Sequence, residues 1–491
     1  MSQICVNNVT FHYDGSYDNV FEHVSFSVDT DWKLGFIGRN GRGKTTFLKL
    51  LTGEYEYAGS IASDVRFNYF PFEVRDPSQT TQAVFEDVSH APLWMLEKEL
   101  NLLEVDASVL GRPFSTLSPG EQTKTLLAAL FCKPGFFLLI DEPTNHLDMD
   151  ARAVVSRYLG GKKGFILVSH DRAFLDGCVD HILSINRADI EVQKGNFTSW
   201  EENRRRQDAF ELSENARLTR QIGQLRTAAR RTAEWSDRVE ASKIGSGALE
   251  GTLDRGAIGR KSAKMMKRAK AVEKRRESAA KEKGKLLKNL ERNDTLKITP
   301  LRHHADVLAE ALDLSIAYGE RTVCGPLNFT IRQGRRIALS GKNGSGKSSV
   351  VRLLTGEAVP HSGVLRTASG LIVSYMPQDT SFLQGTVLEF ARANGLDETL
   401  FLTILRKLDF PRVQFEKDMR DFSGGQKKKA LLAKTLSERA HLYIWDEPLN
   451  FVDVLSRMQV RDLLLQSNPS MLFVEHDRAF MDEIATDVIR L

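Results

Sequence analysis

Long apolar runs and paired cysteines are both missing from this sequence of 491 residues. No apolar stretch approaches the roughly 20 residues of a membrane-spanning helix, and the longest tight cluster, residues 136–140, has the length of a buried strand. The first residues, MSQICVNNVTF, lack the basic start and apolar core of a secretory signal. The four cysteines form no CxxC pair, which favours free thiols in a reducing cytosol. We therefore expect a cytoplasmic protein.

Positive charge is concentrated in the middle of the chain. The whole sequence carries a net charge of +4, but residues 201–292 contain 25 Lys and Arg against 14 Asp and Glu. Within them, residues 255–276 hold ten basic residues and one acid. A run of charge usually means only a solvated helix, but this density favours binding to a phosphate backbone. Neither a zinc pattern nor an aromatic-rich RNA-binding signature is present, so shape and charge would dominate recognition.

Four motifs occur twice in the same order. GRNGRGKT at residues 38–45 recurs as GKNGSGKS at 341–348, and SPGEQ at 118–122 recurs as SGGQ at 423–426. LLIDEPTNHLD at residues 138–148 recurs as YIWDEPLNFVD at 443–453, and VSHDR at 168–172 recurs as VEHDR at 474–478. The spacings are kept as well, which indicates an internal duplication. Each half is predicted to be an α/β domain with a mainly parallel sheet.

The first motif of each half, GxxxxGK[ST], lies between an apolar strand and a helical segment. Its glycines let backbone N–H groups converge on phosphates at a helix N-terminus. Lys44 and Lys347 should reach the β- and γ-phosphates of ATP, while Thr45 and Ser348 should offer hydroxyls to Mg²⁺. The candidate ATP-binding residues of the two loops are Gly38, Arg39, Asn40, Gly41, Arg42, Gly43, Lys44, Thr45 and Thr46, and Gly341, Lys342, Asn343, Gly344, Ser345, Gly346, Lys347, Ser348 and Ser349.

Two acidic residues in a row end an apolar strand in each half. Asp141 and Asp446 are placed to hold the Mg²⁺ shell. The next residues, Glu142 and Glu447, are candidates for polarising the attacking water, although either could instead cap the following helix.

A histidine follows the next apolar run of each half, and a tyrosine precedes each P-loop. His170 and His476 occupy matching positions, which favours contact with the γ-phosphate over an ordinary surface or core role. Tyr13 and Tyr318 lie 31 and 29 residues before the P-loop lysines and are candidates for stacking on adenine, with core packing as the alternative.

Together the P-loop, the SGGQ-like signature, the DEP motif and the histidine resemble the ATP-binding-cassette ATPases. The resemblance implies two cassettes facing head to tail, with ATP and Mg²⁺ clamped between the P-loop of one cassette and the signature of the other. The first composite site would join residues 38–45 to the second signature, and the second composite site would join residues 341–348 to the first signature. The implied signature contacts are Ser118 and Gly120, and Ser423, Gly424 and Gly425.

Two departures from that pattern lie in the first cassette. The second cassette carries YMPQ ending at Gln378, the glutamine that the resemblance implies as a sensor of Mg²⁺ and water, whereas the first carries YFPF ending at Phe72. Phenylalanine cannot coordinate a metal. Pro119 stands where the second signature has Gly424, and proline has no N–H to offer a phosphate. We expect the two sites to be unequal, and the sequence leaves open which one turns over faster.

Between the cassettes, apolar residues recur at steps of three and four. This period predicts an antiparallel helical coiled coil with a glycine-rich tip that carries Leu249, Leu253 and Ile258. The expected domains are residues 1–199 and 297–491, two P-loop ATPase domains, and residues 200–296, a basic helical-hairpin linker.

Two cassettes joined by such a linker resemble the F subfamily of ATP-binding-cassette proteins, which act on the ribosome. The chain has no arm inserted between Phe72 and Ser118, and it resembles the antibiotic-resistance members, in particular the Lsa-like group. The resemblance implies binding to the 70S ribosome as a monomer, near 23S rRNA and the P-site tRNA. It also implies that the linker tip dislodges lincosamide, pleuromutilin or streptogramin A drugs from the peptidyl-transferase centre.

Three other functions compete with ribosome protection. They are a housekeeping translation factor of the same subfamily, the ATPase of a drug exporter that uses a separate permease, and a DNA-repair ATPase with a coiled coil. The absence of an apolar span and of a zinc hook disfavours the last two, so we expect neither membrane nor DNA as a partner.

Overall fold

The computed structural model describes residues 2–14, 19–133, 135–145, 147–186, 189–244, 271, 275, 296–319, 321–342 and 344–491. The predicted tip residues Leu249, Leu253 and Ile258, the P-loop residue Asn343 and nearly all of the predicted second linker helix lie outside the described residues. The chain forms two compact units, one of Met1–Trp200 with Asn293–Leu491 and one of Glu201–Arg292. Among the described residues, no helix is both long enough and apolar enough to cross a membrane.

The first cassette alternates strands and helices as its hydrophobic pattern predicts. Its elements are β1 (Gln3–Phe11), β2 (Phe21–Asp29), β3 (Lys33–Ile37), α1 (Lys44–Thr52), β4 (Ala58–Ser63), β5 (Arg66–Phe70), α2 (Thr81–Val88), α3 (Leu93–Leu102), α4 (Pro119–Phe131), β6 (Phe136–Asp141), α5 (Met149–Gly160), β7 (Phe165–Val168), α6 (Arg172–Cys178), β8 (His181–Asn186) and β9 (Asp189–Lys194), with short 3-10 helices at Ala107–Gly111 and Phe114–Thr116. A single helix of 48 residues, α7 (Phe197–Ile244), follows.

The second cassette repeats this order. Its elements are β10 (Val307–Tyr318), β11 (Arg321–Arg332), β12 (Arg336–Ser340), α8 (Lys347–Leu354), β13 (His361–Thr367), β14 (Val373–Met376), α9 (Val387–Ala393), α10 (Glu398–Lys407), α11 (Gly424–Ser437), β15 (Leu442–Asp446), α12 (Val454–Ser467), β16 (Met471–Val474), α13 (Arg478–Ile484) and β17 (Asp487–Arg490), with 3-10 helices at Arg412–Glu416 and Met419–Asp421.

The two core sheets share one strand order. The first runs β5-β6-β7-β3-β8-β9 and the second β14-β15-β16-β12-β17, and every pair is parallel except β8 with β9. The central strands β6, β7, β15 and β16 are apolar and buried, as expected for parallel strands that are covered on both faces. A separate three-stranded antiparallel sheet, β2-β1-β4 or β11-β10-β13, completes each cassette. The predicted α/β fold, with a mainly parallel sheet in each half, is thus confirmed.

Strand register brings the chemical residues of each cassette to one edge of its core sheet. Asp141, at the end of β6, pairs with Val168, at the end of β7, and Asp446 pairs with Val474 in the same way. The P-loop follows the neighbouring strand, β3 or β12. Because parallel strands end at the same edge, the acidic pair, the histidine and the P-loop meet in a crevice beyond the carboxyl ends of the strands.

The two cassettes exchange apolar residues where α5 and α12 begin. Val454 and Leu455, from the start of α12, belong to the buried core of the first cassette. In the reverse direction, Met149, the first residue of α5, packs against the core of the second cassette. Each exchanged segment directly follows a DEP motif, so packing between the cassettes is continuous with the candidate sites.

Candidate functional site

Each P-loop wraps around its own lysine. Nζ of Lys44 donates to the backbone oxygens of Gly38 at 2.8 Å and Arg39 at 3.2 Å, and Nζ of Lys347 donates to those of Gly341 and Lys342 at 2.8 and 2.9 Å. Both lysines are buried, and burial lowers the pKa of each ammonium. A desolvated cation inside a ring of backbone groups at a helix N-terminus is suited to bind a phosphate chain.

One glycine in each P-loop is required by its backbone conformation. Gly43 and Gly346 precede α1 and α8 with φ angles of 92° and 93°, in the left-handed region. A Cβ atom on Gly43 would lie 2.6 Å from a methyl carbon of Val20. Only glycine therefore lets the chain turn from strand into helix here.

Each signature caps the start of a helix. The Ser118 hydroxyl accepts a hydrogen bond from the backbone N–H of Glu121, and the Glu121 side chain accepts one from the backbone N–H of Ser118. Ser423 and Gln426 make the same two bonds in the second signature. Pro119 is the first residue of α4, where a backbone N–H has no partner within the helix, so proline does not disturb the helix. What it removes is one N–H at the positive end of α4.

The second P-loop and the first signature line one cavity. Its volume is about 680 Å³, and its walls include Ser118 and Gly120 from the first cassette and Lys347, Ser348 and His476 from the second. This volume lies within the range of small-molecule and cofactor sites, roughly 300–1,000 Å³. The structure thus brings the parts of the second composite site together as the sequence predicts.

The first P-loop meets the second cassette in close contact. Nδ2 of Asn40 donates to the backbone oxygen of Phe451 at 2.6 Å. Nη2 of Arg42 lies 3.2 Å from a carboxylate oxygen of Asp409. A Cβ atom on Gly425 would lie 2.5 Å from that same Phe451 oxygen. The second signature and the first P-loop are therefore packed against each other at the first composite site.

In the second cassette, Glu447 is held by three side chains. Gln378 donates its amide N–H to Oε2 at 2.8 Å, Asn450 donates to the same oxygen at 2.5 Å, and Nε2 of His476 lies 3.3 Å from Oε1. Burial alone would raise the pKa of Glu447, but the hydrogen bonds from His476 and Gln378 outweigh burial and lower it. The carboxylate is thus ionised and fixed in direction, as an activator of water must be.

Glu142 is placed differently, although its backbone shares the left-handed φ of about 50° found at Glu447. Its Oε1 lies 3.2 Å from Nε2 of His170, outside hydrogen-bond geometry, and has no hydrogen-bond partner among the described residues. Burial, followed by the charge of Asp141, raises the pKa of Glu142 to about 8. Phe72 packs against the hydrophobic core of its cassette, so its ring does not replace the Gln378 amide.

The residues predicted to hold Mg²⁺ lie together in each cassette. The Thr45 hydroxyl donates to Oδ2 of Asp141 at 2.7 Å, and the Tyr69 hydroxyl donates to the same oxygen at 3.0 Å. Ser348 is hydrogen-bonded to Asp446, whose buried Oδ1 has no hydrogen-bond partner within the described part of the chain. Hydroxyl and carboxylate oxygens are ligands that Mg²⁺ prefers, so these residues fit that ion.

Both candidate adenine-stacking tyrosines lie at the surface beside their P-loops. Tyr13 is 43% exposed and Tyr318 is 45% exposed, so neither ring belongs to a core. The Tyr13 hydroxyl lies 2.6 Å from that of Thr46, and the Tyr318 hydroxyl lies 3.1 Å from that of Ser349. Each ring is therefore partly exposed next to the start of α1 or α8, and the Tyr13 ring also contacts the rings of Phe11 and Tyr55.

Sequence reasoning missed the charged residues that join the cassettes. Arg172 pairs with Glu483 of the other cassette at 2.9 Å, and Arg152 reaches the backbone oxygen of His476 at 3.4 Å. Asp409 was missed too, although the two arginines of GRNGRGKT, at positions where the second P-loop has lysine and serine, were a signal for an acidic partner.

Comparisons with known proteins agree with this geometry. A family model described as ABC transporter matches residues 21–145 and 324–450. The chain is 29% identical to the ribosome protection protein VmlR of Bacillus subtilis, over 98% of this chain and 85% of that protein. It is 28% identical to the energy-dependent translational throttle protein EttA of Haemophilus influenzae, over 96% of this chain and 89% of that protein.

Among solved structures, an RNase-L inhibitor aligns over 99% of this chain and 87% of its own, with a TM-score of 0.62 and 20% identity. The archaeal ribosome recycling factor aABCE1, crystallised with the ribosomal stalk protein aP1, aligns with a TM-score of 0.63, over 98% of this chain and 87% of its own, also at 20% identity. At this level of identity the likeness concerns the fold.

Proposed function

The chain belongs to the ATP-binding-cassette family and, within it, to the F subfamily, and from this premise we propose that it binds the ribosome and protects it from drugs at the peptidyl-transferase centre. It is an ATPase. The proposal is carried by the similarity over nearly the whole chain to a ribosome protection protein, and the pairing of both P-loops with the opposite signatures inside one chain supports ATP as the switching ligand.

We assign the site residues as follows. Glu142 and Glu447 polarise the attacking water, His170 and His476 contact the γ-phosphate, and the P-loop lysines hold the phosphate chain. Tyr13 and Tyr318 stack on adenine. Thr45 with Asp141, and Ser348 with Asp446 and Gln378, would hold Mg²⁺, which supplies positive charge to the phosphate oxygens when it is bound.

The proposed partner is the 70S ribosome, with contacts to 23S rRNA and the P-site tRNA, and we place the protein in the cytoplasm as a monomer. The basic residues 255–276 would neutralise rRNA phosphates. Leu249, Leu253 and Ile258 would reach the drug site and dislodge lincosamide, pleuromutilin or streptogramin A compounds, as in the Lsa-like group. ATP-bound closure would permit binding and hydrolysis would permit release.

Co-sedimentation with ribosomes tests this function. A chain with both Glu142→Gln and Glu447→Gln should close on ATP without hydrolysing it, and should therefore pellet with 70S ribosomes in ATP but not in ADP. Wild-type protein in ATP should pellet far less. A double variant that stays in the supernatant in ATP would refute ribosome binding through the closed state.

A housekeeping role in translation is the second candidate, because the chain is almost as similar to the throttle protein as to the ribosome protection protein. Expression in a drug-susceptible host separates the two. Protection predicts raised tolerance that is lost when Leu253 is changed to Ala while ATPase activity stays intact. Unchanged tolerance together with ATP-dependent ribosome binding would favour the housekeeping role.

A further inference from the structure

A buried lysine lies near Glu447, the candidate water-polarising carboxylate of the second cassette. Lys428 is on the signature helix α11, five residues after Ser423, and only 3% of its surface is exposed. Its Nζ donates to the backbone oxygen of Pro377 at 3.2 Å. Removing an ammonium group from water is costly, so a lysine is retained in such a place only when nearby groups compensate for the lost hydration.

The compensating groups are those of the second composite site. Burial lowers the pKa of Lys428, while the negative charges of Glu447, Glu475 and Asp446 act in the opposite direction. Lys428 thus belongs electrostatically to the carboxylates of this site, although its hydrogen bond goes to the loop that follows β14.

This loop carries the glutamine that fixes Glu447. Pro377, which accepts the bond from Lys428, immediately precedes Gln378, and the Gln378 amide donates to Oε2 of Glu447 at 2.8 Å. A continuous series of contacts therefore runs from the signature helix through the loop to the carboxylate. A hydrogen bond to the backbone beside Gln378 limits where its amide can lie.

The first cassette offers an internal comparison. Thr123 stands where the second cassette has Lys428, and Phe72 stands where it has Gln378. The Thr123 hydroxyl bonds within its own helix, to the backbone oxygen of Pro119 at 3.0 Å. Phe72 packs into the core and has no polar group to be positioned. The lysine and the glutamine are thus present together in one cassette and absent together from the other.

We propose that Lys428 is a positioning residue for ATP hydrolysis at the second composite site, where it holds the loop of Gln378 and thereby keeps the Gln378 amide on Glu447. The inference rests on the proposed role of Glu447 as the group that polarises water. It assigns a function to a buried lysine of the signature helix whose hydrogen bond goes to the loop of Gln378.

A double-mutant cycle on the full chain tests the proposal through steady-state ATPase kinetics. Lys428→Met should lower kcat about tenfold and leave KM within about twofold, which is typical of losing a supporting contact. Gln378→Ala should cause a similar loss, and the double variant should be no slower than Gln378→Ala alone. If Lys428→Met multiplies the loss in the Gln378→Ala background, the two residues act independently and the proposal is wrong.

Matched variants separate positioning from folding. Lys428→Arg keeps a donor and should restore most of kcat, whereas Thr123→Met, at the equivalent place in the first cassette, should leave kcat within about twofold. If Lys428→Met does not fold, Lys428→Thr takes its place in the double-mutant cycle, because threonine is the residue found at the equivalent position of the first cassette. Equal loss in the Arg and Met variants would also overturn the proposal.

Glu447→Gln in the same assay keeps the two hypotheses apart. Wild-type kcat in that variant would refute the role of Glu447 itself. Loss of kcat in Glu447→Gln, combined with additive effects of Lys428 and Gln378, would refute only the positioning role.

Discussion

The pair Lys429–Asp453 offers a sharp test of how the second cassette is held together. Nζ of Lys429 lies 2.7 Å from Oδ2 of Asp453, and the two side chains are 4% and 0% exposed. The lysine also donates to the backbone oxygen of Leu408, and Asp453 accepts from the backbone N–H of Ser456 at the start of α12. Lys429→Met would leave a fully buried carboxylate without the cation bonded to it, with only the more weakly acting charge of Lys44 remaining.

The burial of this ion pair determines how much stability the variant should lose. Removing one partner of a buried pair typically reduces the free energy of unfolding by about 3–5 kcal/mol, because the remaining charge is not compensated. For a domain of this size, each kcal/mol lowers the melting temperature by roughly 2–4 °C, so a fall of roughly 6–20 °C is expected in scanning calorimetry. Double replacement with Asp453→Asn, which keeps the helix-capping oxygen, should recover most of the loss.

The first cassette supplies the matched control. Lys124 occupies the equivalent position of α4 but is only half-buried, so Lys124→Met should reduce the free energy of unfolding by about 1 kcal/mol or less. A Lys429→Met variant that melts no lower than Lys124→Met would refute the reasoning.

The same pair predicts a dependence of stability on pH. Burial would raise the pKa of Asp453, but the charge and hydrogen bond of Lys429 outweigh burial and hold the folded-state pKa far below its usual value. A depressed folded pKa stabilises the protein above the unfolded pKa, about 3.9, and this stabilisation is lost as the pH falls below that value. In Lys429→Met burial should raise the folded pKa of Asp453, so protonation relieves the uncompensated charge and the difference in stability between wild type and variant should shrink as the pH falls. Acid titration followed by circular dichroism would show this.

Two further predictions concern the composite sites. Gly425→Ala should lower ATPase activity about tenfold or more, because its Cβ would lie 2.5 Å from the Phe451 oxygen. The neighbouring Gly424→Ala, with its nearest contact at 3.4 Å, should lower activity much less, and equal losses in the two variants would contradict the close approach. Glu447→Gln should remove a larger share of total ATP turnover than Glu142→Gln, because Gln378 and Asn450 orient only Glu447. Single-turnover measurements of ATP hydrolysis on the two variants test this prediction. An equal loss in both variants, or a larger loss in Glu142→Gln, would contradict it.

Much of the fold and of each site was predictable from short motifs. A glycine-rich turn needs left-handed backbone at Gly43 and Gly346, and an apolar strand that ends in two acids needs a buried parallel sheet, so local sequence is sufficient to place these elements. The internal duplication predicts a further feature of the fold, because motifs repeated in one order indicate the same strand order in each cassette. The ATPase family followed from these residues.

The contacts between the two cassettes could be identified only from the tertiary structure. Asp409 and Glu483 belong to no motif, and their pairing with Arg42 and Arg172 joins residues more than 300 positions apart in the sequence. Likewise, Lys428 looks like one basic residue in a run of three until its burial and its hydrogen bond to Pro377 are seen.

The sequence by itself determined that the chain has two cassettes, which residues are candidates for binding phosphates, and that Phe72 and Pro119 distinguish the first cassette from the second. Only the tertiary structure decided how that inequality is expressed, with Phe72 packed against the core, Glu447 held by two amides and a histidine, and Glu142 partly buried with a raised pKa. The physical reason is that motif chemistry depends on covalent neighbours, whereas burial and hydrogen-bond partners depend on segments that meet only when the chain has folded.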